Sequence, residues 1–338
     1  MKDLAKEEGS VLGPFFGRLE SGFGGSPDEY RFCVEAGGKK LLLCFRSREQ
    51  ADVAERCFAV LPEVPDPDAR FCFWTDDCSR YTGPDAPSER WRYRSEGGSI
   101  ISAPGSWLVG TDIPGRTFYY VRHDPFRQAQ VPVWALSYLV TLWAGTAGLI
   151  VVHGAAVGAD GRGVLLAARS GGGKSTLAAS CLLSGMDYVA DDYVLVNAEG
   201  PLRAMPIFST LAVNPDTKER LDIDLPVIWE YPAWGGKRLL DISSFPICGG
   251  LAVRAVVFLS RWDRGPAEIV PVSGHRAPGQ NSAVRQAQSL LQHWVAYDPP
   301  MAKATVQRFS GLPAWEMRLG ADLKQNADAL RAFIDRME

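Results

Sequence analysis

The stretch from Val164 to Val196, VLLAARSGGGKSTLAASCLLSGMDYVADDYVLV, reads as an apolar strand, a glycine-rich loop, a helix, and a second strand ending in two aspartates. The loop Arg169-Ser170-Gly171-Gly172-Gly173-Lys174-Ser175-Thr176 is built for an anion. Consecutive glycines let backbone N–H groups turn inward around phosphate oxygens. The helix that follows adds the positive end of its dipole to the same place. Lys174 is placed to reach the β- and γ-phosphates of a nucleotide, and the Ser175 hydroxyl to sit on Mg²⁺. The pattern G-x-x-x-x-G-K-[ST] calls for glycine at 168, where this chain has Ala168. An alanine serves there if its backbone stays extended, because only positive φ is costly for it. The expected fold class is α/β.

Working outward, the pair Asp191-Asp192 closes the strand Tyr188–Ala190. In phosphate-loop folds a neighbouring strand commonly ends in an acid that meets Mg²⁺. Adjacent residues of an extended chain point to opposite sides, so the two acids are expected to have separate roles. One serves the metal and the other takes a proton from an attacking hydroxyl. His153 ends an apolar strand, Leu149–Val152, and Gly154 beside it permits close approach of backbone or ligand.

The order His153-Gly154, a glycine turn at 161–163, SGGGKST and Ala190-Asp191-Asp192 resembles the catalytic domain of HPr kinase/phosphorylases and their relatives. The resemblance covers residues 149–197 well and extends loosely to about 260. It implies a P-loop kinase core of the HPr kinase type, with Asp191 as general base and His153 positioning it; the loop pattern and the second acid then put Ser175 and Asp192 on the metal. Those kinases carry a Glu and an Arg in a loop after the aspartate strand. The matching stretch Met205–Asn214 has neither. That departure suits divergent relatives, some found with lasso-peptide biosynthesis, that phosphorylate a peptide serine. Lys237 and Arg238, following Gly235-Gly236, are candidates to supply the missing positive charge from a loop.

The implied cofactors are ATP and Mg²⁺, and the implied partner is a peptide or protein bearing a serine hydroxyl. A rival class is a nucleotide-regulated binding protein with weak ATPase activity and no phosphoacceptor. No NKxD guanine signature occurs, which disfavours a GTPase.

The rest of the chain sets bounds. Its 338 residues carry a net charge of −3, which argues against a nucleic-acid binder working by bulk charge. Seven scattered cysteines without a CxxC pair read as reduced thiols, and the charged N-terminus has no apolar run of a signal peptide. A cytoplasmic protein is expected, with homo-oligomers open. Residues 131–152 carry no charge over a length that could cross a bilayer. Gly145 and Gly148 instead divide the run into a buried helix, Trp134–Ala144, and the strand Leu149–Val152.

Residues 1–125 read as an N-terminal α+β module of unassigned role, and 126–338 as the catalytic domain. In the module, a hairpin is expected around Gly37-Gly38 and a helix from the cap Ser47 to Leu61. Strands are expected at Ala69–Trp74 and Arg116–Arg122, with loops at 62–68 and 79–90. Further on, a helix is expected at Lys174–Ser184 capped by Gly185, a strand at Ala252–Leu259, and helices at Ser282–Trp294 and Asp322–Ile334.

Overall fold

The computed structural model describes residues 2–3, 12–24, 29–82, 87–123, 132–169, 171–232, 235–261, 265–272, 303, 305, 307–309 and 311–337. The expected helix at Ser282–Trp294 lies outside the described residues. The chain is a mixed α/β protein of two compact units, Met1–Thr146 and Ala147–Glu338.

The first unit contains strands β1 (Lys2–Asp3), β2 (Tyr30–Ala36), β3 (Lys39–Phe45), β4 (Val60–Leu61), β5 (Ala69–Thr75), β6 (Trp91–Ser95), β7 (Gly98–Ala103), β8 (Trp107–Asp112) and β9 (Thr117–Arg122). They form one sheet in the order β1-β6-β7-β8-β9-β5-β3-β2-β4. Its helices are α1 (Leu12–Gly24), α2 (Arg48–Glu55), α3 (Ser79–Thr82) and α4 (Pro132–Thr146). The β2–β3 hairpin turns on Gly37 and Gly38, both at positive φ, with Ala36 opposite Lys39 as a two-residue turn requires. Ser47 caps α2 by accepting from the Gln50 N–H.

That helix stops at Glu55 instead of running to Leu61, because Val60 and Leu61 pair with β2. Backbone pairing outweighs the helical spacing. Residues 79–90, expected as loop, include the short α3. The strands β6 to β8 form a meander that the sequence reading did not resolve. The helix α4 takes up the uncharged run, packs on α2 and β9, and belongs to the first unit. No helix among the described residues is long and apolar enough to cross a membrane.

The second unit is organised around another nine-stranded mixed sheet. Its strands are β10 (Leu149–Val152), β11 (Ala155–Ala159), β12 (Arg162–Ala167), β13 (Asp187–Ala190), β14 (Val194–Asn197), β15 (Arg203–Met205), β19 (Leu251–Arg261), β20 (Glu268–Pro271) and β21 (Ala314–Leu319). The main order is β10-β14-β15-β19-β12-β11-β13, with β21 beside β19 and β20 beside β21. The strands β16 (Thr210–Val213), β17 (Val227–Tyr231) and β18 (Lys237–Asp241) form a small separate sheet. Helices α5 (Lys174–Leu183), α6 (Pro215–Arg220) and α7 (Leu323–Asp335) complete the unit.

The strands that carry the site are buried on both faces, which explains their unbroken apolar runs. One core layer places Leu177, Ala178 and Cys181 of α5 with Ala327, Leu330 and Ile334 of α7 against Val157, Val164 and Leu166. The other face gathers Val152, Ala156, Leu165, Val189, Val196 and Val256. The helix α5 ends as expected at Gly185. Gly185 N–H donates to Leu182 O and Met186 N–H to Cys181 O, the paired bonds of a left-handed cap. Asp322 caps α7 through the Gln325 N–H.

Candidate active site

The glycine-rich loop leaves the carboxyl end of β12, where β12 runs parallel to β19. Carboxyl ends of parallel strands are the usual ligand crevice of α/β sheets. Ala168 is not among the residues with positive φ, so its backbone meets the condition under which alanine replaces glycine. Its methyl group has a consequence four residues later. A Cβ on Gly172 would lie 2.7 Å from the Ala168 Cβ and 2.9 Å from Arg169 O. Gly173, the helix N-cap, has φ 96°, and a Cβ there would meet Leu319 at 2.6 Å. Both positions therefore exclude side chains. Arg169 is exposed, and its carbonyl accepts from the Gly172 N–H at 2.9 Å. Ser170 lies outside the described residues.

Lys174 is buried, and its Nζ donates to Ala168 O at 3.0 Å. The ammonium is thus folded back on its own loop. Burial lowers its pKa, and the nearby Asp192 and Asp191 act against that shift. Thr176 shares a 2.7 Å hydroxyl–hydroxyl hydrogen bond with Thr217 of α6.

The two aspartates differ sharply in environment. Asp191 is buried, and neither carboxylate oxygen has a hydrogen-bond partner among the described residues. Burial pushes its pKa up to about 7, and the neighbouring Asp192 pushes the same way. Lys237, the nearby Ser175 hydroxyl and Lys174 favour its ionised form, without overcoming burial. Ser175 stands close enough to bias the charge, yet no contact of full hydrogen-bond geometry satisfies the carboxylate.

Asp192 is fully engaged. Its Oδ2 accepts from Lys237 Nζ at 2.5 Å, and its Oδ1 lies 3.7 Å from His153 Nε2. Burial acts to raise its pKa, but Lys237 and His153 together hold it well below the usual carboxylate range. Lys237 is raised in turn. Burial opposes its charge, and Asp192 and Asp191 more than compensate.

Three expectations are corrected by this arrangement. The acids do not lie on an extended strand. Asp192 has φ 66°, and the Tyr193 N–H donates to Asp191 O at 2.8 Å across it. This tight three-residue turn around a left-handed non-glycine residue is strained, of the kind that persists where surrounding structure holds it. His153 meets Asp192, not Asp191 as the resemblance implied. Lys237 is the first residue of the strand β18 and does not ride a loop, while Arg238 pairs with Glu230 across β17 at 3.3 Å. Neighbours on a strand face opposite ways, so only one of the two cations enters the site.

The scaffold explains how β18 reaches the aspartates. Tyr188 of β13 is buried, and its hydroxyl donates to Thr210 O of β16 at 3.0 Å. That ties the small sheet to the strand carrying the acids. Sequence reasoning missed Arg261, which ends β19 and donates to Gly171 O at 3.3 Å, and Thr217. Neither carries a motif. Their proximity follows only from strand order.

Among the described residues no group of three His, Cys, Asp or Glu stands together as a metal cage. Mg²⁺ is commonly held by only one or two carboxylates together with substrate phosphates. No known protein-family model matches the chain, and no curated protein matches it.

Proposed function

We propose that this protein is an ATP- and Mg²⁺-dependent kinase that transfers the γ-phosphoryl group to a serine hydroxyl of a peptide or protein. Its second unit is then a phosphate-loop kinase core similar to that of HPr kinases. The observation that carries the reading is Asp191, a buried carboxylate with no full hydrogen bond among the described residues, beside the Ser175 of a lysine-bearing glycine loop. Leaving a buried polar group unsatisfied is costly, and a cation arriving there removes the cost.

That orphaned carboxylate fits a divalent cation. Ser175 and Asp191 would hold Mg²⁺, and when bound the ion neutralises charge on the phosphates. This assignment gives Asp191 the metal and Asp192 the acceptor side, the reverse of the roles the resemblance implied. The loop amides and Lys174 bind the nucleotide, with Lys174 exchanging its bond to Ala168 O for phosphate oxygens. Asp192 accepts the proton of the serine hydroxyl as its oxygen bonds to phosphorus and the bond to the ADP oxygen breaks. His153 and Lys237 orient that carboxylate from its two oxygens. Phosphoryl transfer asks mainly for positioning and charge neutralisation, which suits a held carboxylate more than a strong base.

A peptide acceptor is favoured over HPr because Met205–Asn214 contains neither Glu nor Arg. The test is acceptor profiling by mass spectrometry with ATP, Mg²⁺, HPr, free serine and serine-bearing peptides. A phosphopeptide is expected. Labelling of HPr or free serine alone would overturn the peptide assignment, and release of free phosphate with no labelled acceptor would overturn the kinase.

A further inference from the structure

The first unit contains a cleft of about 680 Å³, distant in sequence from the phosphate-loop motif and lined in part by Gly17, Arg18, Arg46, Asp76, Arg80 and Tyr81. Its charge is unbalanced: three arginines face one aspartate. Arg80 pairs with that aspartate at 3.0 Å. The other two have no carboxylate partner among the described residues. Arg18 donates through Nε and Nη2 to the Tyr81 carbonyl at 3.1 and 3.0 Å. Arg46 donates to the Phe23 carbonyl and lies over the Phe23 ring. Its Nε is buried with no acceptor among the described residues. Neutral carbonyls hold these guanidiniums in place without cancelling their charge.

The same cleft is kept open by a helix face that is otherwise hard to explain. On α1, Phe15, Leu19 and Phe23 turn into the core. The cleft takes Pro14, Gly17, Arg18, Ser21 and Gly22 of that helix. Glycine inside a helix is unfavourable relative to alanine, because it gives up more backbone freedom on folding. Packing demands it at Gly22, where a Cβ would strike the Tyr81 ring at 2.5 Å. At Gly17 a Cβ would meet nothing within 4 Å. So Gly17 is not required by the fold, and its bareness leaves room in the cleft. The far wall is fixed by a chain of hydrogen bonds. Trp74 Nε1 donates to the Tyr81 hydroxyl at 3.1 Å, and that hydroxyl donates to Asp76 at 2.5 Å.

We propose that this cleft binds an acidic polypeptide segment, with Asp or Glu side chains on Arg18, Arg46 and Arg80. Arginine pairs well with carboxylates, through a planar fork of donors. Asp76 in the same wall disfavours a compact polyphosphate, whose charge would crowd it. A peptide instead presents backbone N–H groups that an aspartate can accept from, spaced between its carboxylates. The inference stands apart from the kinase reading, since it concerns the first unit alone.

The experiment uses the full chain and fluorescence anisotropy with a labelled glutamate-rich nonapeptide, its glutamine counterpart, and tripolyphosphate as competitor. The glutamate peptide is expected to bind at least about tenfold more tightly, the order of charge-assisted hydrogen bonds. Gly17→Leu fills the cleft from a position where a side chain has space, and Arg80→Gln removes one exposed cation. Each should weaken binding about tenfold without lowering the melting temperature. If Gly17→Leu fails to fold, Arg80→Gln decides. Equal affinity for the two peptides, full binding by the folded variants, or displacement by tripolyphosphate at lower concentration than by unlabelled glutamate peptide would overturn the proposal.

Discussion

In the cleft of the first unit Arg18 and Arg46 are held by carbonyl oxygens, while Arg80, largely exposed, pairs with Asp76. In the second unit a carboxylate, Asp191, is buried, and neither oxygen has a full hydrogen bond among the described residues. Both regions carry uncompensated charge, but at different cost. An exposed guanidinium is solvated by water, so its excess charge costs the fold little. A carboxylate taken out of solvent loses the hydration that favours its charge and shifts toward its neutral form. The first unit can keep its charge ready at all times, whereas the second carries a penalty that only a ligand removes.

The largest expected effect lies in the second unit. Asp192→Asn should lower the transfer rate by on the order of 10²–10⁴ while leaving its Mg²⁺ dependence unchanged, measured by phosphopeptide formation against metal concentration. Lys174→Ala should cost about 10²–10³ in turnover and weaken nucleotide binding, read by calorimetry. Wild-type turnover from a folded Lys174→Ala protein would break the reading of the loop. Asp191→Asn should raise the Mg²⁺ concentration needed for half-maximal rate by roughly 10–100-fold, and added metal should restore much of the activity. Matching metal dependence in the two aspartate variants would erase the division between them.

The stability of the ligand-free protein sharpens the same contrast. Asp191 titrates near 3.8 when unfolded and near 7 when folded. A raised carboxyl pKa contributes stability below 3.8 that is lost as pH rises toward 7. Asp192 works in the opposite sense. Its lowered pKa contributes stability that is present above its unfolded value, so it adds almost no slope above about pH 5. Denaturant titrations should therefore show wild type weakening from pH 5 to 7, and Asp191→Asn nearly flat. The smallest effect belongs to the first unit. Gly17→Ala should raise stability by about 0.5–1 kcal/mol at every pH, because alanine lowers the entropy of the unfolded chain and meets no clash.

Local features were legible where local chemistry dictates them. The run of glycines before Lys174, the cap at Ser47, the left-handed Gly185 and the Gly37-Gly38 turn each satisfy backbone groups within a few residues. The sequence by itself therefore determined the strand–loop–helix around Lys174 and the placing of two acids one strand later. Tertiary structure decided which acid does what. The turn at Asp192, its bonds to His153 and Lys237, and the isolation of Asp191 depend on a small sheet anchored through Tyr188, more than 40 residues of chain from β18. The end of α2 was likewise set by pairing with β2, and Arg261 reaches the loop because β19 lies next to β12. Period and composition report how a residue meets its sequence neighbours. Burial, charge pairing and strand order are properties of contacts between distant segments, and those exist only in the folded chain.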